Sequence, residues 1–404
     1  MSLVRLNLGE AVVPEEFGGR AVGINEDLHY LSPALTDHGA YFMGLIGHSD
    51  GKTMAYSEEL ADAFTDTVIK RKPDALILTG DLTFNGAKKS HEDLTEKLRK
   101  IEEAGIPVLV LSGNHDLNNR NAASFSQDGY ELAESISEAG FEEMYASFGF
   151  ADAYSRDRAS SSYIWELVPG LRLLMVDVNG GKPGSVPEET LQWMKEQLRD
   201  AQEHGSRVLA FSHQNLLKHS LFETGYVIEN GKDVLRLYSN YSVIANFTGH
   251  LHIQHMEEQG GFYEVATSAL SVSPNQYADI GLKKGELFYE TSPVLVAAWA
   301  EENHCTSKEL LEFDTYAKEF FLASSYEQAK AELYGLQDNE KKGVMAEYFA
   351  EVNYAYFSGH LEQARQNREL LNAWKKSASF IGGYLDSISG EPRGNQNILK
   401  LELP

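Results

Sequence analysis

The sequence predicts an α/β protein: two β-sheets packed as a sandwich and flanked by helices, followed by a small all-helical domain. Three observations carry this prediction. Between residues 20 and 111, short apolar runs alternate with amphipathic stretches in the order strand, helix, strand, helix, strand. That is the pattern of a parallel sheet with crossover helices. Between residues 160 and 300 a second series of apolar runs follows, which implies a second sheet packed on the first. From Thr306 onward the apolar period becomes helical. The boundary is therefore placed after residue 303, with 1–303 as the α/β domain and 304–404 as the helical domain.

Taken in order, residues 4–13 alternate weakly before Pro14 and read as an edge strand. Residues 20–25 are the first core strand. The stretch 31–53 is long and irregular, with 41–46 a weak strand candidate; a loop of that length in a compact domain usually serves function. Residues 57–72 form an amphipathic helix. Ser57 is the expected cap, Glu58 and Glu59 suit its positive end, and Lys70, Arg71 and Lys72 suit its negative end. Pro73 stops it. Residues 75–79 are the second core strand, 90–104 the next helix and 108–111 the third strand. Residues 118–158 are polar and partly helical.

Residues 160–166 and 171–176 form a hairpin around Pro169-Gly170, and 187–202 a helix with proline in its first turn. Strands follow at 207–211 and 243–247, then a hairpin over 253–258 and 261–266. Residues 286–300 read as one or two further strands. Thr306 and Glu309 make a capping box. Leu310, Phe313, Ala317, Phe320 and Phe321 share one helical face, and breaks are expected near Ser324-Ser325, Asp338-Asn339 and Ser358-Gly359. The tail 390–404 has little periodicity.

Composition excludes several classes. The chain of 404 residues is 42% hydrophobic and 24% charged, an ordinary globular profile with room for one large core and a second unit. The single cysteine, Cys305, excludes an intrachain disulfide framework and a cysteine-based zinc site. A net charge of −25 disfavours a nucleic acid polymer as partner. A small anionic substrate stays open, because surface charge is screened beyond about 8 Å and bound divalent ions would dominate the local field. No apolar run approaches the roughly 20 residues of a membrane span. The N-terminus lacks the basic-then-apolar pattern of a signal peptide, so the cytoplasm is expected, with export the alternative if an upstream signal has been trimmed.

The chemistry sits at the strand ends. Residues 108–111 lead into Ser112-Gly113-Asn114-His115-Asp116, where an amide, an imidazole and a carboxylate fan out at a strand tip. The carboxyl ends of parallel strands are where open α/β sheets bind ligands. Asp27 and His29 follow the first strand and share side-chain direction if the segment stays extended. They make a metal half-site suited to Mn, Fe or Zn. His48 and Asp50 are a rival half-site, ranked lower because no clean core strand leads into them; a lid or substrate-contact role is expected there. Gly80-Asp81, His213 and Gly249-His250-Leu251-His252 end the other strands. Each motif alone is more often a polar turn or a hydrogen-bonded histidine. Together they place five of the 13 histidines at strand tips, which coincidence explains poorly.

The ordered set resembles the calcineurin-like metallophosphoesterase superfamily, whose blocks run Asp-x-His, Gly-Asp, Gly-Asn-His-Asp/Glu, His and Gly-His-x-His. The resemblance covers roughly residues 20–295. The surroundings of Asp27, Asp81 and His250 are similar to a bacterial branch with a helical C-terminal domain, described as cyclic-nucleotide or generic phosphodiesterases. Glu26 departs from the serine common at that position. The resemblance implies two divalent or trivalent ions, Mn, Fe or Zn. Asp81 would bridge them, Asp27, His29 and His252 would complete one site, and Asn114, His213 and His250 the other. His115 would face the substrate and protonate the leaving oxygen, with Asp116 orienting its ring.

The expected function is hydrolysis of small phosphodiesters such as cyclic nucleotides. A phosphomonoesterase or a nuclease of the same superfamily is the alternative. A non-catalytic scaffold predicts gaps in the ligand set, and none is found. The C-terminal helices are a candidate lid or homo-oligomer surface.

Overall fold

The computed structural model describes residues 21–25, 27–47, 49–283 and 285–403. The edge strand expected over 4–13, Glu26 and His48 lie outside them. In chain order the first half runs β1 (Ala21–Asn25), α1 (Ala40–Gly47), α2 (Ser57–Arg71), β2 (Ala75–Leu78), α3 (Lys88–Glu103), β3 (Val108–Val110), β4 (Ala123–Ser126), β5 (Gly129–Leu132), α4 (Glu138–Met144), β6 (Ser155–Arg156), β7 (Tyr163–Val168) and β8 (Leu171–Val176). Then come α5 (Glu188–Glu203), β9 (Arg207–Ser212), α6 (Gly231–Asn240), β10 (Ala245–Thr248), β11 (His255–Gln259), β12 (Phe262–Ala266), β13 (Gln276–Lys283) and β14 (Glu286–Pro293). The helical region holds α7 (Val296–Glu302), α8 (Lys308–Leu311), α9 (Phe313–Glu332), α10 (Asn339–Phe357), α11 (Arg368–Ser377) and α12 (Ser379–Gly390), before β15 (Ile398–Glu402).

One sheet has the strand order β15-β14-β13-β1-β2-β3 and the other β11-β12-β10-β9-β8-β7-β6. The middle of each is parallel: β1, β2 and β3 in the first, β8, β9, β10 and β12 in the second. The packing follows from the two-residue pleat. On β8, Leu171, Leu173 and Met175 enter the core between the sheets, with Ile24, Ile77 and Leu109 of the first sheet. Leu174 and Val176 point the other way, onto Met194 and Leu198 of α5 and Val234 and Tyr238 of α6. Strands covered on both faces read as continuous apolar runs, which is why they stand out in the sequence.

Several local expectations are corrected. Residues 41–46 belong to helix α1, not a strand: Phe42 and Ile46, four apart, are buried on one side while Tyr41, Met43 and Leu45 are exposed. Residues 296–300 are helical too. Pro293 ends β14 by withholding a ladder donor, and the alanine-rich run after it favours a helix. Ser57 does not cap α2; its hydroxyl instead accepts the Leu31 amide at 2.9 Å. Ser307, not Thr306, caps α8. Helix α9 continues through Ser324-Ser325, because both hydroxyls find partners, the Ser49 carbonyl and the Asn353 amide. The tail is a strand: β15 pairs with β14 from Glu286↔Glu402 to Glu290↔Ile398. The helical region is thus bracketed by strands of the first sheet. Its own core joins Met345, Phe349, Tyr356, Trp374 and Leu385 to Leu251 and Ile253. No helix among the described residues is long and apolar enough to cross a membrane.

Candidate metal centre

Parallel strands put their carboxyl ends at one edge, and the candidate residues gather there. Asp27 and His29 follow β1, Asp81 follows β2, Asn114 follows β3, His213 follows β9, and His250 and His252 follow β10. Backbone bonds continue the ladders past the strands: Asp27 N to Gly80 O at 3.2 Å, His29 N to Asp81 O at 2.8 Å and Gly249 N to His213 O at 3.1 Å.

The turns themselves are unusual. Asp27, His29, Asp81, His250 and His252 have φ of 53°, 47°, 46°, 66° and 58°. Non-glycine residues rarely adopt this left-handed conformation, and it concentrates at sites where the surroundings enforce it. Asp27 and His29 therefore converge through left-handed turns, not through the extended pleat the sequence implied. Two glycines make the convergence sterically feasible. A Cβ on Gly113 would lie 2.0 Å from the Asp81 amide nitrogen, and one on Gly80, at φ +108°, would lie 2.8 Å from both Gly113 Cα and His213 Nδ1.

Two groups of donor atoms result, and Asp81 belongs to both. Asp27, His29, Asp81 and His252 form one, and Asp81, His213 and His250 the other. Asn114 joins the second through Oδ1, 2.9 Å from His213 Nε2. The two oxygens of Asp81 divide between the groups: Oδ2 is 3.8 Å from His29 Nε2 and Oδ1 is 3.4 Å from His213 Nε2. His29 Nε2 and His252 Nε2 face each other at 3.1 Å, and His250 Nδ1 and His213 Nε2 at 3.2 Å. The structure thus brings together all seven candidate ligands.

The electrostatics suit cations. Burial lowers the basicity of His29, His213, His250 and His252, with His250 brought down to about 3 and His252 to about 4. They are neutral near pH 7, as metal-binding imidazoles must be. Burial, then the nearby Asp81 carboxylate, pushes Asp27 well above the usual carboxylate range. Asp81 goes the other way: burial opposes its ionisation, but His115, His213 and His250 outweigh it. Two buried carboxylates among imidazoles whose nitrogens converge, with no thiolate, form a donor set that fits Mn, Fe or Zn.

His115 stands at the mouth. Its Nδ1 bonds the Phe84 carbonyl at 2.7 Å and its Nε2 lies 3.8 Å from Asp81 Oδ2. Asp116 does not orient that ring. Its carboxylate accepts from the amides of Leu82, Thr83 and Gly113 at 3.0, 2.9 and 2.8 Å, and from the Thr83 hydroxyl at 2.9 Å. It is a buried brace between the loops after β2 and β3, pushed up to about 6 by burial and by Asp81. Asp50 is corrected as well. It accepts from Nδ1 of His252 at 2.9 Å and pairs with Lys52. Burial works against its ionisation, yet Lys52 and His252 hold it well below the usual carboxylate range. The partnership with His252 spans about half the chain, and no local pattern announces it. Tyr226, whose ring lies 5.2 Å from that of His250 and tilted by 43°, was also not legible in the sequence.

Comparison with known proteins gives two family matches. Residues 27–254 match the calcineurin-like phosphoesterase family, and residues 296–394 match the C-terminal domain of cyclic nucleotide phosphodiesterase. A protein of Arcobacter nitrofigilis named a probable glycerophosphodiester phosphodiesterase is 26% identical over 247 residues, 59% of this chain and 78% of its own length. A probable cyclic nucleotide phosphodiesterase of Pseudoalteromonas is 28% identical over 219 residues, 54% of this chain and 70% of its own. The crystal structure of a dimetal phosphatase from Danio rerio aligns over 67% of this chain and 95% of its own, with 14% identity and a TM-score of 0.49. With more than half its length matched and the family's ligand types gathered at the carboxyl ends of strands from both sheets, the chain belongs to the calcineurin-like phosphoesterase family, which implies two metal ions at this centre.

Proposed function

We propose that this protein is a metal-dependent phosphodiesterase acting on small phosphodiesters, with cyclic nucleotides the leading class. The observation that carries the reading is the division of Asp81 between two donor groups. A carboxylate has two oxygens and one charge, so it can hold two cations side by side. In this reading Asp27, His29, Asp81 and His252 bind one ion, and Asp81, Asn114, His213 and His250 the other. Mn, Fe and Zn all accept this set. When bound, the ions supply Lewis-acid polarisation of the phosphoryl oxygens and a nucleophile at neutral pH.

The chain's own residues do the rest. Its converging carboxylates and imidazoles would hold the ions. The Phe84 carbonyl accepts a hydrogen bond from Nδ1 of His115, which aims Nε2 into the centre. From there a protonated Nε2 steadies the phosphoryl charge and gives its proton to the leaving oxygen. The names of the two bacterial relatives support a diester over a monoester substrate.

The test is hydrolysis of bis-p-nitrophenyl phosphate beside p-nitrophenyl phosphate, after chelator stripping, with Mn²⁺, Fe²⁺ and Zn²⁺ added back separately. Metal-restored cleavage that favours the diester is expected, followed by turnover of a cyclic nucleotide. A preference for the monoester would overturn the diesterase reading in favour of a phosphatase.

A further inference from the structure

The segment Ser49-Asp50-Gly51-Lys52 is held from two sides. Toward the centre, Asp50 Oδ2 accepts the Nδ1 proton of His252 at 2.9 Å, and Lys52 Nζ reaches both Asp50 oxygens at 2.9 and 2.8 Å. From behind, two side chains of α9, Ser324 and Gln328, donate to the Ser49 carbonyl. Phe321 of the same helix lies so close that a Cβ on Gly51 would sit 2.6 Å from its ring. The residues flanking His252 are gripped as well. Leu251 and Ile253 are buried in the core of the C-terminal helices, and the Gln254 amide donates to the Phe357 carbonyl at 3.1 Å. The strand-end motif therefore shows its histidines to the centre and its apolar residues to the helical region.

We propose that Asp50 is a positioning residue for His252, and that α9 holds Asp50 in place, so that the C-terminal helices are a working part of the metal centre. The inference rests on His252 being a ligand. By accepting the Nδ1 proton, Asp50 fixes the tautomer that leaves the Nε2 lone pair facing His29 Nε2, 3.1 Å away. A carboxylate behind a metal-binding imidazole also raises its basicity, and losing such a partner costs about 10–100-fold in metal affinity. The arrangement gives the helical region a function that neither a lid nor an oligomer surface requires.

The experiment measures metal content and the rate of ion release to a chelator in the full-length chain. The variants are Asp50→Ala, Asp50→Asn, and Ser324→Ala with Gln328→Ala. Wild type should hold two ions. Asp50→Ala should release one of them about 10–100-fold faster and leave the other at the wild-type rate. Asp50→Asn, whose amide oxygen still accepts the proton, should lie between. The paired α9 variant should shift release in the same direction by less. It also carries the test if Asp50→Ala fails to fold, because Gln328 is exposed and Ser324 is small. Release of both ions at the wild-type rate from every variant would overturn this inference alone. A wild-type protein holding no ion at this centre would overturn the ligand assignment and this inference with it.

Discussion

The two halves of the candidate centre are built differently. The half with Asp27, His29 and His252 is buried, its residues 0%, 0% and 9% exposed. Behind it, Asp50 accepts a hydrogen bond from His252, and Ser324 and Gln328 of the C-terminal helices bond the adjoining Ser49 carbonyl. The half with Asn114, His213 and His250 is open: His213 is buried, but Asn114 is exposed and His250 half-exposed. Its support comes from a loop, through the Gly225 carbonyl, 3.0 Å from His250 Nε2, and the Tyr226 ring. A neutral amide is also a weaker ligand than a carboxylate. One donor group is thus built into the whole architecture and the other into an open local rim.

Asp81→Ala would erase the comparison, since both halves share that residue. The expected result is loss of both ions, with kcat/KM down on the order of 10³-fold, the scale of a lost electrostatic clamp on the transition state; retention of two ions and full turnover would refute the bridging role. His115→Ala touches neither half's ligands. It should lower kcat about 10²–10³-fold, within the range of a lost general acid, while elemental analysis still finds two ions. Asn114→Ala removes a direct ligand of the open half alone, so it should cost at least the roughly 10–100-fold in affinity that loss of an outer partner costs. Chelator release from the wild-type protein should accordingly be biphasic, and Asn114→Ala should accelerate the faster phase; an effect on the slower phase would invert the assignment of the halves.

Metal-stripped protein should also show a pH dependence of its stability. His250 and His252 titrate at about 3 and about 4 when folded, against about 6.5 in an unfolded chain. Between those values the unfolded chain binds more protons at these two histidines, so their contribution to stability falls as pH drops below about 6.5 and levels out near 3 to 4, while Asp116 and Asp27, raised by burial, act in the opposite direction. Each such histidine contributes up to about 1.4 kcal/mol per pH unit inside that window. Denaturant melts between pH 7 and 4 would read it, and His252→Gln should shallow the slope. An unchanged slope would mean that His252 is not a neutral, buried group.

Much of the α/β region was legible because its strands are covered on both faces. Ala75–Leu78 and Leu171–Val176 are apolar at every position or nearly so, and such runs stand out without any partner being known. What failed did so where a local pattern was ambiguous or irrelevant. The 41–46 run is apolar on all sides, so its period could not separate helix from strand. The strand β15 has only its pairing with β14 to define it. The hairpin β4–β5, helix α6 and strand β13 went unread for similar reasons, being polar or mixed in composition.

The sequence by itself determined which chemical groups stand at which strand ends, and hence the family and the donor set, because parallel strands deliver their carboxyl ends to one edge. Only the tertiary structure decided how those groups meet. Asp27, His29, Asp81, His250 and His252 take left-handed turns that no local periodicity announces. The brace role of Asp116 depends on amides of Leu82 and Thr83 across the adjacent strand end. The bond from His252 to Asp50 joins residues 202 positions apart. A periodicity reports only what lies within a few residues, whereas these contacts exist only once the sheets, loops and C-terminal helices have closed around the same edge.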